Sequence, residues 1–151
     1  MIRATNDADV PSLLTLATDC GLFELDQIDL LASMLRNPNE NDVWFTNDNG
    51  SGPVGVAYLA PEKMTHGTWN LYWIAVHPSE QRCGRGKAIL DHVENWLRQK
   101  GERMLLIETA GIEDFEYVRR FYAKNGFEPE ARIRDFYAAG VDKVVFRKVL
   151  S

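Results

Sequence analysis

The chain has 151 residues, 45% of them hydrophobic and 26% charged, and carries a net charge of −5. That is the size of one ordinary domain, able to bury roughly 70% of the surface its unfolded chain exposes. The composition excludes a disordered chain, no apolar run nears the ~20 residues of a membrane span, and the acidic balance argues against non-specific nucleic-acid binding while leaving open an anion held at a local site.

The opening stretch, MIRATNDADV, has no apolar signal core. Cys20 and Cys83 make neither a disulfide framework nor a zinc spacing. A reducing cytoplasm and no metal are expected. With no repeat, low-complexity tract or linker, residues 1–151 read as a single domain.

Residues 2–4 form a short predicted strand. Asn6 or Asp7 caps a helix whose apolar positions Val10, Leu13, Leu14 and Ala17 recur at helical spacing, and Gly21 stops it. A second helix starts near Asp26, with Ile28, Leu31 and Leu35 on one face. Residues 43–47 and 54–60 read as strands around an Asn49-Gly50 turn, a hairpin signal. Residues 69–76 form a long strand, and the apolar run from Leu71 to Val76 predicts burial on both faces. Residues 86–99 follow as a helix with Ile89, Leu90, Val93 and Leu97 inward. Residues 104–107 are a second continuous apolar strand. Residues 115–124 form a helix with Val118, Phe121 and Tyr122 on one side, closed by Asn125-Gly126. Residues 127–133 and 143–148 are the last strands. The alternation predicts an α/β fold, a mixed sheet with helices on both faces. Its central parallel step is strand 69–76, helix, strand 104–109.

The informative segment is Val76-His77-Pro78-Ser79-Glu80-Gln81-Arg82-Cys83-Gly84-Arg85-Gly86-Lys87. Glycines after a buried strand let successive backbone N–H groups face one concavity. The helix start adds unpaired donors and a positive dipole end. Such a turn suits a phosphate or pyrophosphate. Arg82, Arg85 and Lys87 crowd this helix start, where a cation is unfavourable by about 0.3–1 kcal/mol. A bound polyanion would reverse that; the alternative is surface cations extended into water. A Walker loop is excluded, because Ala88 stands where a hydroxyl must hold magnesium. A Rossmann fingerprint is excluded too, because its third glycine would fall at Ile89.

Gln81-Arg82-Cys83-Gly84-Arg85-Gly86 matches the pattern Q/R-x-x-G-x-G/A, and it follows a strand ending in V-x-P, here Val76-His77-Pro78. Phe121-Tyr122-Ala123-Lys124-Asn125-Gly126-Phe127 matches F-Y-x-x-x-G-F. With these motifs in this order, the whole chain resembles the GNAT superfamily of acyl-CoA N-acyltransferases, and among them the ribosomal-protein N-terminal acetyltransferases. The resemblance implies acetyl-CoA as cosubstrate, no metal, and direct transfer of the acetyl group to an amine of a peptide, protein or small molecule. It implies no nucleic-acid or membrane partner, and a homodimer is a common state in the family. The backbone of Ile74, Ala75 and Val76 would pair with the pantetheine arm, where two parallel strands separate. The pyrophosphate would take N–H groups of Arg82, Cys83, Gly84, Arg85, Gly86 and Lys87. Two other classes stay open: a non-catalytic CoA-binding or interaction domain on the same fold, and a different nucleotide-binding enzyme.

The implied reaction needs a neutral amine. At pH 7, neutralising a lysine-like amine of pKa ~10.4 costs about 4.6 kcal/mol, but an α-amine of pKa ~7.7–8.0 only about 1 kcal/mol. By its place in Leu106-Ile107-Glu108-Thr109, the resemblance implies Glu108 as the base; the alternative is a strand-end carboxylate in a salt bridge. The family's histone acetyltransferases take their base from the preceding strand, where this chain has Asn70. An amide accepts no proton, but it can hold a water or orient the acceptor. Tyr122 matches the family tyrosine that assists departure of the thiolate. A phenol of pKa ~10 is a poor acid toward a thiolate of pKa ~8.5, so hydrogen bonding to the sulfur is its larger expected part. Core packing is the alternative.

Many members carry an asparagine early in the last helix. Phe115 stands there in this chain, and Glu113 or Asp114 is expected to cap the helix instead. Acceptors in this family meet the first two helices, here from Gly21-Leu22-Phe23 to Asp29, and the last hairpin. Asp135, Tyr137 and Asp142 there suit a cationic acceptor, or are ordinary hairpin residues. His66, His77 and His92 read as solvated or packed groups, Cys83 as a loop filler rather than a nucleophile, and Trp44, Trp69, Trp73 and Trp96 as core or strand aromatics.

Overall fold

The computed structural model of the protein describes residues 1–21 and 25–150, with Leu25 as backbone only. The chain divides into two compact units, Met1–Ala60 with Trp73–Asn95, and Pro61–Tyr72 with Trp96–Ser151.

The first unit begins with β1 (Ile2–Ala4), a 3₁₀ turn (Asp7–Asp9), α1 (Val10–Cys20) and α2 (Leu25–Arg36). β2 (Val43–Asp48) and β3 (Pro53–Pro61) follow as an antiparallel hairpin. β4 (Thr68–Val76) and α3 (Arg85–Gln99) run through both units. The second unit adds β5 (Met104–Ala110), a 3₁₀ turn (Glu113–Phe115), α4 (Glu116–Lys124), β6 (Glu128–Ala138) and β7 (Val141–Val149). The strands are hydrogen-bonded in the order β1-β2-β3-β4-β5-β7-β6. The expected mixed α/β sheet is therefore present, and so is its parallel step: Thr68 to Leu71 pair in register with Met104 to Ile107. The last hairpin turns back so that β7, not β6, lies beside β5.

Asn6 caps the first turn rather than α1 itself. Its side chain accepts from the Ala8 N–H, and Asp9 accepts from the Asn6 N–H, a reciprocal capping box. Asp9 is also almost fully buried. Arg3 meets it with two hydrogen bonds, at 2.7 and 2.9 Å, and reaches Asp48 at 3.0 Å. Gly21 ends α1 in the left-handed conformation, φ +68°. The buried stripe of α1 is Val10, Leu13, Leu16 and Ala17, so Leu16 takes the deep place expected of Leu14. With Leu31 and Leu35 of α2 it packs on Trp44, Val56, Trp73 and Ala75. Each fully buried leucine here contributes about 1.5–3 kcal/mol. Trp44 stacks on Tyr58 at 4.3 Å and meets Trp73 edge-on. Gly55 explains itself by space: a Cβ there would lie 2.9 Å from the Ile89 side chain and 3.3 Å from the Ala75 carbonyl.

In the second unit Leu71, Leu97, Leu105, Ile107, Phe127 and Phe146 are buried. Two expectations change. β4 is not buried on both faces, since Tyr72 is exposed and Ile74 and Val76 are only half-buried. An apolar run reports hydrophobicity, whereas a strand turns alternate residues to opposite faces, and one face here stays open. Glu113 and Asp114 do not cap α4, because neither that helix nor the turn before it has a side-chain cap. The loop is instead held by Arg119, which donates to the carbonyls of Ala110 and Ile112.

Candidate active site

The first unit carries the glycine loop. After β4, His77 caps a 3₁₀ turn at Pro78–Glu80. His77 Nε2 lies 2.9 Å from Asp19, and Nδ1 lies 2.8 Å from the Ser79 hydroxyl, so this histidine is structural. Arg82 then takes the left-handed region at φ +64° and Gly84 at φ +85°. α3 starts at Arg85, one residue before the expected Gly86. Two left-handed residues curl the chain so that Ala88 is the first N–H bonded back into the turn, to the Gly84 carbonyl at 3.0 Å. Among the described residues, none of the backbone N–H groups of Arg82, Cys83, Gly84, Arg85, Gly86 and Lys87 finds an acceptor. Such a row of unmet donors at a helix start is a cradle for an anion.

The loop cations are arranged otherwise than their charge suggests. Arg85 donates to Glu80 at 3.1 Å and to Asn47 at 3.2 Å, and Asn49 donates to the same Glu80 carboxylate. These donors, Asn49 first and Arg85 second, hold the Glu80 carboxyl below the usual carboxylate range. Lys87 pairs with Asp91 one helical turn on, at 2.6 Å. Arg82 makes no ion pair among the described residues and is exposed. Arg85 thus fastens the loop to the β2–β3 hairpin. Cys83 donates its thiol to the Glu80 carbonyl, the loop-filling part expected of it. On the strand side, the Val76 carbonyl accepts from the Gln81 amide at 2.9 Å and faces the Cys20 thiol at 3.7 Å.

The second unit carries the candidate acid–base residues. Glu108 stands on β5 opposite Val145 of β7, and its carboxylate forms an ion pair with Lys143. The fold pairs this carboxylate with a cation, both side chains being largely buried, and a paired carboxylate still accepts a proton. The Lys143 ammonium also sits 4.2 Å over the Phe136 ring. Tyr137 packs edge-on against Phe136. Burial first, and the Glu108 charge second, push its phenol above the usual range. Asp135 and Asp142 are used by the hairpin itself: Asp142 takes Arg132 at 2.7 Å and the Asp135 N–H at 3.0 Å, and Asp135 takes the Gly140 N–H. Of the other acceptor stretch, Leu22 and Phe23 lie outside the described residues.

Tyr122 is almost fully buried, with its ring against Phe127 and Phe146. Burial pushes its hydroxyl well above the ordinary phenol range. It is packed as a core residue, and a phenol so placed is a hydrogen-bond donor rather than a ready acid.

Asn70 is 2% exposed. Its Nδ2 donates to Glu62 at 3.1 Å, and the Tyr72 hydroxyl donates to the same carboxylate oxygen at 2.6 Å. Sequence reading missed Glu62. It lies in a connection with no motif, and only its neighbours in space single it out. The pairing of Asn70 with Leu106 puts Asn70 and Tyr72 on the sheet face shared by Leu106 and Glu108, two residues apart on each strand.

Among the described residues no cluster of ligands suits a metal ion, and no helix is long and apolar enough to cross a membrane.

Comparison with known proteins bears on these halves together. The family model described as an acetyltransferase (GNAT) domain matches residues 39–129, which include the glycine loop, Glu108 and Tyr122. A structure from Desulfovibrio desulfuricans assigned to the GNAT acetyltransferases is 30% identical, with 100% of this chain and 99% of that one covered and a TM-score of 0.93. The ribosomal-protein-S18-alanine N-acetyltransferase of Escherichia coli is 22% identical over 100% of this chain and 94% of that one, TM-score 0.83. An aminoglycoside 6′-N-acetyltransferase solved with coenzyme A is 14% identical over 100% and 97%, TM-score 0.80. The last two share the fold. No curated protein matches the sequence. The chain belongs to the GNAT family of acetyltransferases.

Proposed function

We propose that this protein transfers the acetyl group of acetyl-CoA directly to a primary amine, of a peptide, a protein or a small molecule, in the cytoplasm. The observation that carries the reading is the row of unmet N–H groups from Arg82 to Lys87 in a chain of this family. Unmet N–H donors at a helix start suit the negatively charged pyrophosphate of the cosubstrate. Little of that binding depends on side chains, in keeping with Arg85 and Lys87 being turned to carboxylates. Both cysteines are free, as a reducing compartment allows, and none is needed for a direct transfer.

In this reading Glu108 takes a proton from the acceptor ammonium, and the neutral nitrogen attacks the thioester carbonyl. The carbon–sulfur bond then breaks, the thiolate leaves while accepting a hydrogen bond from Tyr122, and it takes up the second nitrogen proton, so that the products are the amide and the CoA thiol. A positioned base contributes about 10²–10⁴-fold, and it matters most for an alkylamine, whose neutral form is scarce at pH 7.

The test is thiol release from acetyl-CoA over a panel of amines: peptides with a free N-terminus, polyamines, aminoglycosides and simple alkylamines. Acetylated product with at least one amine is expected, confirmed by mass spectrometry. Tight acetyl-CoA binding with no turnover on any amine would favour a binding module on the same fold.

A further inference from the structure

The carboxylate of Glu62 is held on one side only. Asn70 and Tyr72 both donate to its Oε1, and among the described residues nothing donates to Oε2 and no cation pairs with it. Lys63, next in the chain, is exposed and makes no ion pair among the described residues. The other well-placed carboxylate on this face, Glu108, already has its counter-charge in Lys143. Glu62 is half-buried and Tyr72 exposed, so the group is open to solvent on the Tyr72 side.

Asn70 supplies a second, independent observation. Its side chain is buried, one end of the amide orients Glu62, and the other end, Oδ1, has no hydrogen-bond partner. A buried acceptor without a donor is unfavourable, and such groups persist where they serve something besides stability. An apolar residue would fill this position without that cost. An amide here keeps a carboxylate aimed and uncompensated.

We propose that Glu62, aimed by Asn70 and Tyr72, binds the positively charged acceptor amine and sets the enzyme's preference for alkylammonium over neutral amines. The inference rests on the N-acetyltransfer reading above and adds the class of acceptor. Glu62 contacts the acceptor through Oε2; Asn70 is a positioning residue. Because Gln keeps an oxygen for both donors, Glu62→Gln removes the charge and leaves the hydrogen bonds from Asn70 and Tyr72 in place.

The test compares benzylamine, spermidine and an alanine-initiated tetrapeptide, all cationic at pH 7, with aniline, which is neutral. In Glu62→Gln the KM for the cationic amines should rise about 10- to 100-fold, the range of a charge-assisted hydrogen bond. The KM for acetyl-CoA and the kcat/KM for aniline should stay unchanged. Glu62→Asp should recover part of the loss. Asn70→Ala should shift the same KM in the same direction, by about 10-fold, again sparing aniline. A Glu62→Gln enzyme with wild-type KM for the cations, or with equal losses on aniline, overturns the inference while leaving N-acetyltransfer standing. A wild-type enzyme that consumes acetyl-CoA with none of these four amines and none of the wider panel above overturns the N-acetyltransfer reading, and this inference with it.

Discussion

Lys143 of β7 forms an ion pair with Glu108 of β5, and the same ammonium rests over the ring of Phe136. The pair joins neighbouring strands diagonally, since Lys143 is in register with Ala110 and Glu108 with Val145. If Glu108 is the base, Glu108→Gln lowers kcat toward an alkylamine by about 10²-fold or more and less toward a peptide N-terminus. The KM for acetyl-CoA should not move. Lys143→Met leaves a largely buried carboxylate without its counter-charge and costs about 3 kcal/mol in urea unfolding at pH 7. The double variant should recover much of that loss, because it leaves no orphaned charge.

The glycine loop separates backbone from side-chain binding. Gly84 has φ +85°, with open space around the place a Cβ would take. A β-branched residue cannot hold this left-handed position without strain, although the space at its Cβ is open. Gly84→Val should therefore abolish measurable acetyl-CoA binding in calorimetry while changing stability by only about 1–2 kcal/mol. Arg85→Ala loosens the tie to Glu80 and Asn47 and should weaken acetyl-CoA only a few-fold. Normal binding by Gly84→Val would remove the loop from the site.

Tyr122 separates packing from chemistry. Its ring fills the space against Phe127 and Phe146, and phenylalanine fills it as well. Tyr122→Phe should therefore keep the melting temperature within about 2 °C, a change of well under 1 kcal/mol. Turnover should fall by about 10-fold or more if the hydroxyl assists the leaving sulfur. Unchanged turnover would make Tyr122 a core residue only.

Arg3 and Asp9 make a stability prediction with a definite pH sign. Arg3 first, then the Asn6 N–H, hold the Asp9 carboxyl below its ordinary value against the opposing effect of burial. A group depressed in the folded state stabilises fully above its unfolded pKa of ~3.9, and that contribution drains away as pH falls below this value toward the folded pKa. Arg3→Met should cost about 3 kcal/mol at pH 7, because Asp9 stays buried without its partner. The gap between wild type and variant should narrow in urea titrations between pH 4 and pH 2. A gap that widens toward acid would contradict the assignment.

Much of the architecture was legible in the order of residues, because its rules act over a few positions. Helical spacing marked α1 to α4, Gly21 and Asn125-Gly126 marked the ends of α1 and α4, and the two apolar runs marked the parallel pair β4 and β5. The motif from Gln81 to Gly86 was legible for the same reason: a strand, a turn and a helix start are consecutive, so the curl that frees the N–H groups is local. Partner choice was not. The charges of Arg82, Arg85 and Lys87 suggested a common target, yet Arg85 reaches Glu80 and Asn47, and Lys87 reaches Asp91. Glu108 could be read equally as a base or as half of a salt bridge, and only the return of β7 beside β5 brings Lys143 to it. Glu62 had no signal at all until Asn70 and Tyr72, eight and ten residues away, turned to the same carboxylate oxygen. By itself the sequence determined most of the elements, the glycine turn and the family. The tertiary structure alone decided which charges are spent and which stay open, because electrostatic partners are set by distances in space that strand order creates.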